Sequence, residues 1–328
     1  MPGHFTTMLK ESLSRAKHGS STGSGNPGPS FPLTETLMTI PVSPGFSPRV
    51  KVIHPSIPTT RPRPLIVLLH GGGFVRGPID YLRPHGVAFA EEFNAVVVLG
   101  TYRLVPTVRW PVPWKDSWNL LAYLSKHAHE PKFGSAELDA NKGGGFVVGG
   151  TSAGASCAAV CGGIDAFGVS SDEGVDELAS RLTGVMANVP FLLVPQIVPQ
   201  EWRSRWTAWQ DNERVKGFNT NTLRAVIQGI QCSNYSSRWF SPIPDLCQGD
   251  DQLHGHPRVY MTYCHFDPLR DDALVYSELL RRRGVKVKTD LFPDDGHTAW
   301  SSMGFAMRSK NPSIPEANME GMRWLLRR

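Results

Sequence analysis

The stretch Gly150-Thr151-Ser152-Ala153-Gly154 stands between two segments of different composition. The apolar residues 146–149, FVVG, predict a buried strand before it, and the small residues 155–163 predict a helix after it. A serine on a sharp turn from strand to helix holds its Oγ clear of the sheet, and small flanking residues let the two elements approach closely. The stretch therefore predicts Ser152 as a nucleophile, although Gly, Ser and Ala are common and the pentapeptide alone is a weak signal.

A second glycine-rich turn precedes this one in the chain. The apolar run Leu65-Ile66-Val67-Leu68-Leu69 leads directly into His70-Gly71-Gly72-Gly73. Glycine N–H groups bind a developing oxyanion well because no Cβ blocks the approaching oxygen. Gly71, Gly72 and Ala153 are therefore predicted to form an oxyanion hole, and His70 is interpreted as a residue that anchors the loop by hydrogen bonds. The alternative is that the three glycines only end a strand in a wide turn.

A serine hydroxyl needs a base and an orienting carboxylate, which in this arrangement follow in the order Ser, Asp, His. Asp267 comes just after a predicted strand near 257–264, and His297 comes just after one near 286–292. Open α/β sheets place their active sites at the carboxyl ends of their strands. The sequence therefore predicts Asp267 as the acid and His297 as the base.

Other acids and histidines compete for these two roles. Asp271 and Asp272 fit the first turn of the next helix, where the helix dipole stabilises negative charge. Asp294 and Asp295 are too close in sequence to His297 to be favoured, although either could bias its protonation. Of the 11 histidines, most of the others are interpreted as surface or packing residues because they lack the position after a strand.

The ordered set of motifs resembles the hormone-sensitive-lipase-like branch of the α/β-hydrolase superfamily. The resemblance implies an α/β-hydrolase fold, with a mostly parallel central sheet flanked by helices and a helical cap, and it implies hydrolysis of carboxylic esters. Thr151 and Thr107 depart from the family pattern, which commonly has an acid at each position. The matching stretches, spread over residues 60–328, are His70-Gly71-Gly72-Gly73, Tyr102-Arg103-Leu104-Val105-Pro106, Pro113-Trp114-Lys115-Asp116-Ser117, Gly150-Thr151-Ser152-Ala153-Gly154, Asp267-Pro268-Leu269-Arg270-Asp271 and Gly296-His297.

Length and composition fit one large catalytic domain. The chain has 328 residues, 40% of them hydrophobic, and a formal charge of +5 with a pI near 9.0. Because the arginines are spread along the chain, the basic balance is interpreted as a solvated surface, and nucleic-acid binding is not expected. The five cysteines have no metal-ligand spacing, and Cys157 and Cys161 are assigned to core packing. Neither a metal nor a cofactor is called for.

Targeting signals are not apparent in the chain. No uninterrupted apolar run reaches the length of about 18 residues that a membrane span needs, and the first residues lack the charged-then-apolar layout of a secretory signal. A cytoplasmic location is therefore the default expectation. The family resemblance also allows a homodimer.

The chain is predicted to have two parts. Residues 1–60 form an N-terminal segment with a helix near 5–17, a flexible Ser/Gly/Pro stretch near 19–28 and antiparallel edge strands near 37–42 and 50–54. The resemblance assigns part of this segment to the cap. Residues 61–328 form the catalytic domain, with a cap insertion near 195–250. Its parallel strands are predicted near 65–70, 95–100, 144–151, 183–189, 257–264 and 286–292.

Aromatic residues are concentrated in the predicted cap. Trp202, Trp206 and Trp209 fall at i, i+4 and i+7, which predicts one face of a helix. Such a stripe more often packs than binds a ligand, so docking of the cap on the core is favoured. Aromatic cap residues that face inward would suit a bulky apolar substrate. The other aromatic residues considered for this role are Phe218, Trp239 and Phe240.

Together these patterns predict a serine hydrolase that cleaves small to medium, apolar or aromatic esters, lactones or acetylated natural products through an acyl-enzyme. A weaker resemblance is to the tailoring esterases of secondary metabolism. Two other classes stay open. One is an enzyme of this fold that keeps the triad but catalyses elimination or cyclisation without water. The other is a ligand-binding receptor, a class that generally loses a triad residue, whereas Ser152, Asp267 and His297 are all present.

Overall fold

The computed structural model describes residues 32–169, 174–249, 251–300, 311 and 313–327. The helix predicted near 5–17 and the Ser/Gly/Pro stretch near 19–28 lie outside the described residues. None of the described helices is both long enough and apolar enough to span a bilayer.

One eight-stranded sheet is formed by the described residues, in the spatial order β1-β2-β4-β3-β5-β6-β7-β8. Strand β2 is antiparallel to both of its neighbours, and the strands from β4 to β8 are parallel to one another. The predicted fold class is confirmed. The strands are β1 (Leu33–Thr39), β2 (Arg49–Pro55), β3 (Leu65–Leu69), β4 (Val96–Gly100), β5 (Phe146–Thr151), β6 (Gly184–Asn188), β7 (Arg258–Phe266) and β8 (Val287–Gly296).

Helices follow most of the parallel strands. They are α1 (Arg83–Phe93), α2 (Val112–His127), α3 (Ala153–Phe167), α4 (Ala208–Asp211), α5 (Thr220–Ile230), α6 (Ile243–Leu246), α7 (Arg270–Arg282) and α8 (Ser313–Leu326). Short 3-10 turns lie at Ile79–Leu82, Pro131–Phe133, Ala140–Lys142, Pro195–Ile197, Gln200–Trp202 and His297–Trp300.

The two large apolar clusters lie on opposite faces of the sheet. In β3, Leu65, Val67 and Leu69 pack in the cluster that contains α2, α3 and α7, whereas Ile66 and Leu68 pack in the cluster that contains α1 and α8. All five side chains of β3 are buried. A strand covered on both faces needs apolar residues at every position, which explains its uninterrupted apolar sequence.

The first edge strand begins and ends earlier than the position predicted near 37–42. Strand β1 ends at Thr39, residues 40–42 are irregular, and the turn that follows them is closed by a bridge between Ser43 and Phe46. Pro41 lies in this irregular stretch and suits the end of the strand, because a proline has no N–H to donate to a ladder. Ile40 is nevertheless only 2% exposed, so a buried apolar residue just past the strand resembled one within it.

The helix predicted for the three cap tryptophans is not formed. Trp202 ends a 3-10 turn, Trp206 lies in the irregular residues that follow, and Trp209 belongs to the short helix α4. The N–H groups of residues 207 and 208 each donate to a carboxylate oxygen of Asp271 at 2.7 Å, so they are not available to a continuous helix. All three indoles are buried in the main apolar cluster, as the docking interpretation expected.

A second carboxylate at the start of α7, that of Asp272, also binds the segment between β6 and β7. Asp272 is fully buried and accepts hydrogen bonds from the N–H groups of Leu192 and Leu193, at 2.8 and 2.9 Å, and from the indole N–H of Trp206 at 3.3 Å. Burial raises the pKa of Asp272 well above its ordinary value, and the N–H donors oppose that shift. Asp271 and Asp272 thus lie in the first helical turn, as predicted, but they serve to connect α7 to the segment between β6 and β7.

Replacing Asp272 tests this connection. We expect Asp272→Ala to lower the free energy of unfolding by about 3 kcal/mol, because it leaves three donors without their acceptor and a buried unsatisfied donor costs about 1–3 kcal/mol. Urea unfolding followed by circular dichroism measures the change. Asp294→Ala is the control, since Asp294 is exposed. A loss for Asp272→Ala no larger than that of the control would contradict the connecting role.

Candidate active site

Ser152 lies at the turn from β5 to α3 with φ 55° and ψ −120°. This backbone conformation is unfavourable for a residue with a side chain and is typical of a nucleophile elbow. A Cβ on Gly150 would lie 2.4 Å from the carbonyl carbon of Gly154, and a Cβ on Gly154 would lie 2.1 Å from the carbonyl oxygen of Leu69. Only glycine fits at either position, which explains the spacing of the two glycines around the serine.

The glycine loop after β3 passes beside the elbow. A Cβ on Gly71 would lie 2.9 Å from the carbonyl oxygen of Thr151 and 3.5 Å from the Cβ of Ser152. The N–H of Ser152 itself donates to the carbonyl of Asn188 at 2.9 Å. The N–H of Ala153, at the first position of α3, has no acceptor within its helix. Gly71 and Ala153 therefore lie next to Ser152 with backbone N–H groups that an oxyanion could use.

His70 holds this loop from behind. Its Nδ1–H donates to the carbonyl of Gly71 at 2.9 Å, and its Nε2 accepts from the hydroxyl of Thr101 at 3.0 Å. The ring stacks on Tyr102 with the centroids 4.5 Å apart. Burial lowers the pKa of His70, which keeps the imidazole neutral and suited to donate once and accept once. This is the anchoring role interpreted from the sequence.

Two further family motifs meet in one ion pair. The carboxylate of Asp116, which is 1% exposed, accepts from the backbone N–H of Arg103 at 2.9 Å and from its guanidinium at 2.9 and 2.7 Å. The same guanidinium lies 4.7 Å from the ring centroid of Phe46. The hydrogen bonds to Asp116 raise the pKa of Arg103. These contacts fix the chain just after Tyr102, and Tyr102 supports His70.

The three predicted triad residues are joined by hydrogen bonds. Nδ1 of His297 lies 2.8 Å from Oδ2 of Asp267, and Nε2 of His297 lies 2.8 Å from Oγ of Ser152. The second carboxylate oxygen of Asp267 accepts from the N–H of Leu269 at 2.8 Å. Asp267 is fully buried, and His297 is 8% exposed. The imidazole is therefore held between a buried acceptor and a serine hydroxyl.

The competing acids lie elsewhere. Asp294 is exposed, and Asp295 accepts a hydrogen bond from Asn311. Asp271 and Asp272 face the segment between β6 and β7, as described above. Among the competing histidines, His265 packs edge-on against the ring of Phe266.

Two residues of the segment between β6 and β7 contact the triad and were not predicted to do so. The side-chain N–H of Asn212 donates to the backbone carbonyl of Asp267 at 3.2 Å. The ring of Phe218 stacks on the imidazole of His297, with centroids 4.1 Å apart and an interplanar angle of 28°. The sequence marked Phe218 only as an aromatic cap residue, and it carried no signal for Asn212, because both contacts depend on how the segment folds.

A sequence model described as the α/β-hydrolase fold matches residues 66–301. The chain belongs to the α/β-hydrolase fold family. The matched region includes the glycine loop, the elbow, Asp267 and His297. The resemblance to the hormone-sensitive-lipase-like branch is confirmed.

Individual relatives carry the names of esterases. This α/β-hydrolase is 28% identical to a versiconal hemiacetal acetate esterase of Dothistroma septosporum, over 87% of this chain and 84% of the relative. It is 28% identical to carboxylesterase NlhH of Mycobacterium tuberculosis, over 80% and 73%. Among solved structures, a vibralactone cyclase superposes with a TM-score of 0.74 at 21% identity, covering 96% of this chain and 85% of that one. A bacterial heroin esterase gives 0.71 at 22% identity, covering 98% and 91%.

The glycines of the elbow allow a direct test of the close approach. We expect Gly154→Ala to lower the free energy of unfolding by about 3 kcal/mol or more, because the added methyl would overlap the carbonyl of Leu69 and force the backbone to shift. Thermal unfolding measures this. Gly229→Ala in α5 is the matched control, because nothing lies within 4 Å of its added Cβ and alanine favours a helix over glycine by about 1 kcal/mol. Equal stabilities of the two variants would contradict the close approach.

Proposed function

We propose that this α/β-hydrolase is a serine carboxylesterase in which Ser152 is the nucleophile, His297 the general base and Asp267 the residue that orients the base. The observation that carries the proposal is the unbroken line of hydrogen bonds from Asp267 through His297 to Ser152, with 2.8 Å at each step. The esterase relatives and the family support ester hydrolysis.

The geometry supports a two-step acyl transfer. Oγ of Ser152 attacks the acyl carbon while its proton passes to Nε2 of His297. The Nδ1–H of His297 donates to Asp267, which keeps the imidazole in the tautomer with a free Nε2 and stabilises the imidazolium. The oxyanion accepts from the N–H groups of Gly71, Gly72 and Ala153. His297 then gives its proton to the leaving alcohol, and a water molecule repeats the attack to release the acid.

Small to medium, apolar or aromatic esters are the proposed substrates. A relative named as the esterase of a hemiacetal acetate supports an acetylated small molecule, and tailoring of a secondary metabolite is the proposed context. A cytoplasmic location and a homodimer belong to the same proposal. Size-exclusion chromatography with light scattering tests the dimer.

The decisive experiment labels the protein with a small fluorophosphonate and measures turnover of p-nitrophenyl esters of rising chain length. We expect one adduct, on Ser152, and hydrolysis that favours the shorter esters. Ser152→Ala and His297→Ala each should lower kcat by at least about a thousandfold, since each removes a member of a unit that acts together.

The acid is tested by a matched pair of variants. Asp267→Asn should lower kcat by about a thousandfold or more, because an amide can hold the imidazole in the wrong tautomer. Asp294→Asn should leave kcat unchanged, since Asp294 is exposed. A large loss of kcat for Asp294→Asn with none for Asp267→Asn would show that Asp267 is not the acid.

A non-hydrolytic reaction is the second candidate, and the fold likeness to a vibralactone cyclase is the observation behind it. An enzyme of this kind should form the adduct on Ser152 yet turn over none of the simple esters. Failure to form any adduct would count against both the esterase and the non-hydrolytic enzyme, and it would favour a binding protein.

A further inference from the structure

The chain segment 207–220, here named the latch segment, is attached to the loop that carries Asp267. Asn212 is 1% exposed, and its side-chain N–H lies within hydrogen-bond distance of the carbonyls of Ala208 and Asp267, at 3.0 and 3.2 Å. The carboxylate of Asp271 binds the N–H groups at the start of the same segment. One end of the latch segment is therefore fixed to the acid side of the site.

The other end of the latch segment reaches His297. Phe218 stacks on the imidazole, and the residue before it, Gly217, has φ +88° and approaches so closely that an added Cβ would lie 3.0 Å from Cγ2 of Thr298. The buried Thr220 closes the segment on itself, because its hydroxyl donates to the carbonyl of Trp209 at 2.7 Å. The Phe218 ring is thus held by a segment with defined contacts on both sides.

We propose that Phe218 is a positioning residue for His297 and that the latch segment couples its position to the loop of Asp267. The inference rests on the proposed serine-esterase function. A ring stacked on one face of the imidazole restricts its rotation and excludes water from that face. An aromatic face also attracts a cation, so the ring stabilises the imidazolium that forms when Ser152 attacks. Both effects act on the chemical step.

The experiment compares variants at Phe218 with a cap variant that does not touch the triad. Phe218→Leu and Phe218→Met remove the aromatic ring and keep an apolar side chain, whereas Phe218→Tyr keeps the ring. Tyr235→Leu is the control, since Tyr235 is a half-buried aromatic residue of the same region whose ring packs on Phe240. The readouts are the second-order rate of Ser152 modification by a small fluorophosphonate, and kcat and KM for p-nitrophenyl acetate.

We expect Phe218→Leu and Phe218→Met to lower the modification rate and kcat by about 3- to 30-fold, with KM changed by less than about twofold. Phe218→Tyr should restore both rates, and Tyr235→Leu should leave them unchanged. Melting temperatures of all variants show whether each is folded, and Met provides a second test if Leu does not fold.

Several results would overturn the inference while leaving the esterase intact. Unchanged rates in both ring-deleted variants would show that the ring does not act on His297. A change confined to KM would make Phe218 a substrate contact, and a slow Phe218→Tyr would make the effect one of side-chain size. A wild-type protein that is not modified at Ser152 would instead refute the proposed function.

Discussion

The contact between the β5–α3 turn and the end of β3 is the constraint on which the proposed active site depends. Gly154 lies so close to the carbonyl of Leu69 that no side chain fits between them. Because β3 runs directly from Leu69 into His70 and the glycine loop, this one contact sets the loop beside Ser152. The strained backbone at Ser152 is maintained because α3 is buried along almost its whole length and cannot relax outward.

The proposed acid and base come together through a second constraint, the pairing of β7 with β8. These parallel strands stay paired through a register shift after Cys264, and the last paired positions are Phe266 and Gly296. Asp267 and His297 are each the next residue after such a position. Two residues far apart in sequence therefore leave the same edge of the sheet side by side, and their hydrogen bond requires little further arrangement.

These two constraints explain what could be predicted from the sequence. Strands covered on both faces must be apolar throughout, so β3 and β5 were visible as short apolar runs, and the residues after them as active-site candidates. The proposed triad was predicted from chain order and from position after a strand. The helix predicted from the spacing of Trp202, Trp206 and Trp209 was wrong, because the nearby N–H groups bind Asp271 instead of helical carbonyls. A distant carboxylate outweighed local propensity.

The contacts missed from sequence were those made between loops. Asn212 and Phe218 lie in an irregular segment whose start is bound by Asp271, and contacts made by such a segment leave no periodic pattern in the sequence. The position of a residue relative to the strands predicts the contacts at the edge of the sheet well, since a sheet has regular geometry. It carries no information on which side chain of an irregular segment will lie over an imidazole.

Two parts of the segment between β6 and β7 contact different residues of the proposed site. The latch segment contacts Asp267 and His297, so a substitution that shifts this segment also shifts the proposed acid or base. Helix α5 follows the latch segment and lies against the glycine loop. A Cβ on Gly73 would lie 3.0 Å from Cγ2 of Val226 in this helix. The far end of α5 is fixed by the backbone hydrogen bond from Trp110 to Ile230. Side chains of α5 can therefore vary beside the glycine loop while the hydrogen bonds of the proposed triad persist, and this helix is where we expect substrate preference to be set.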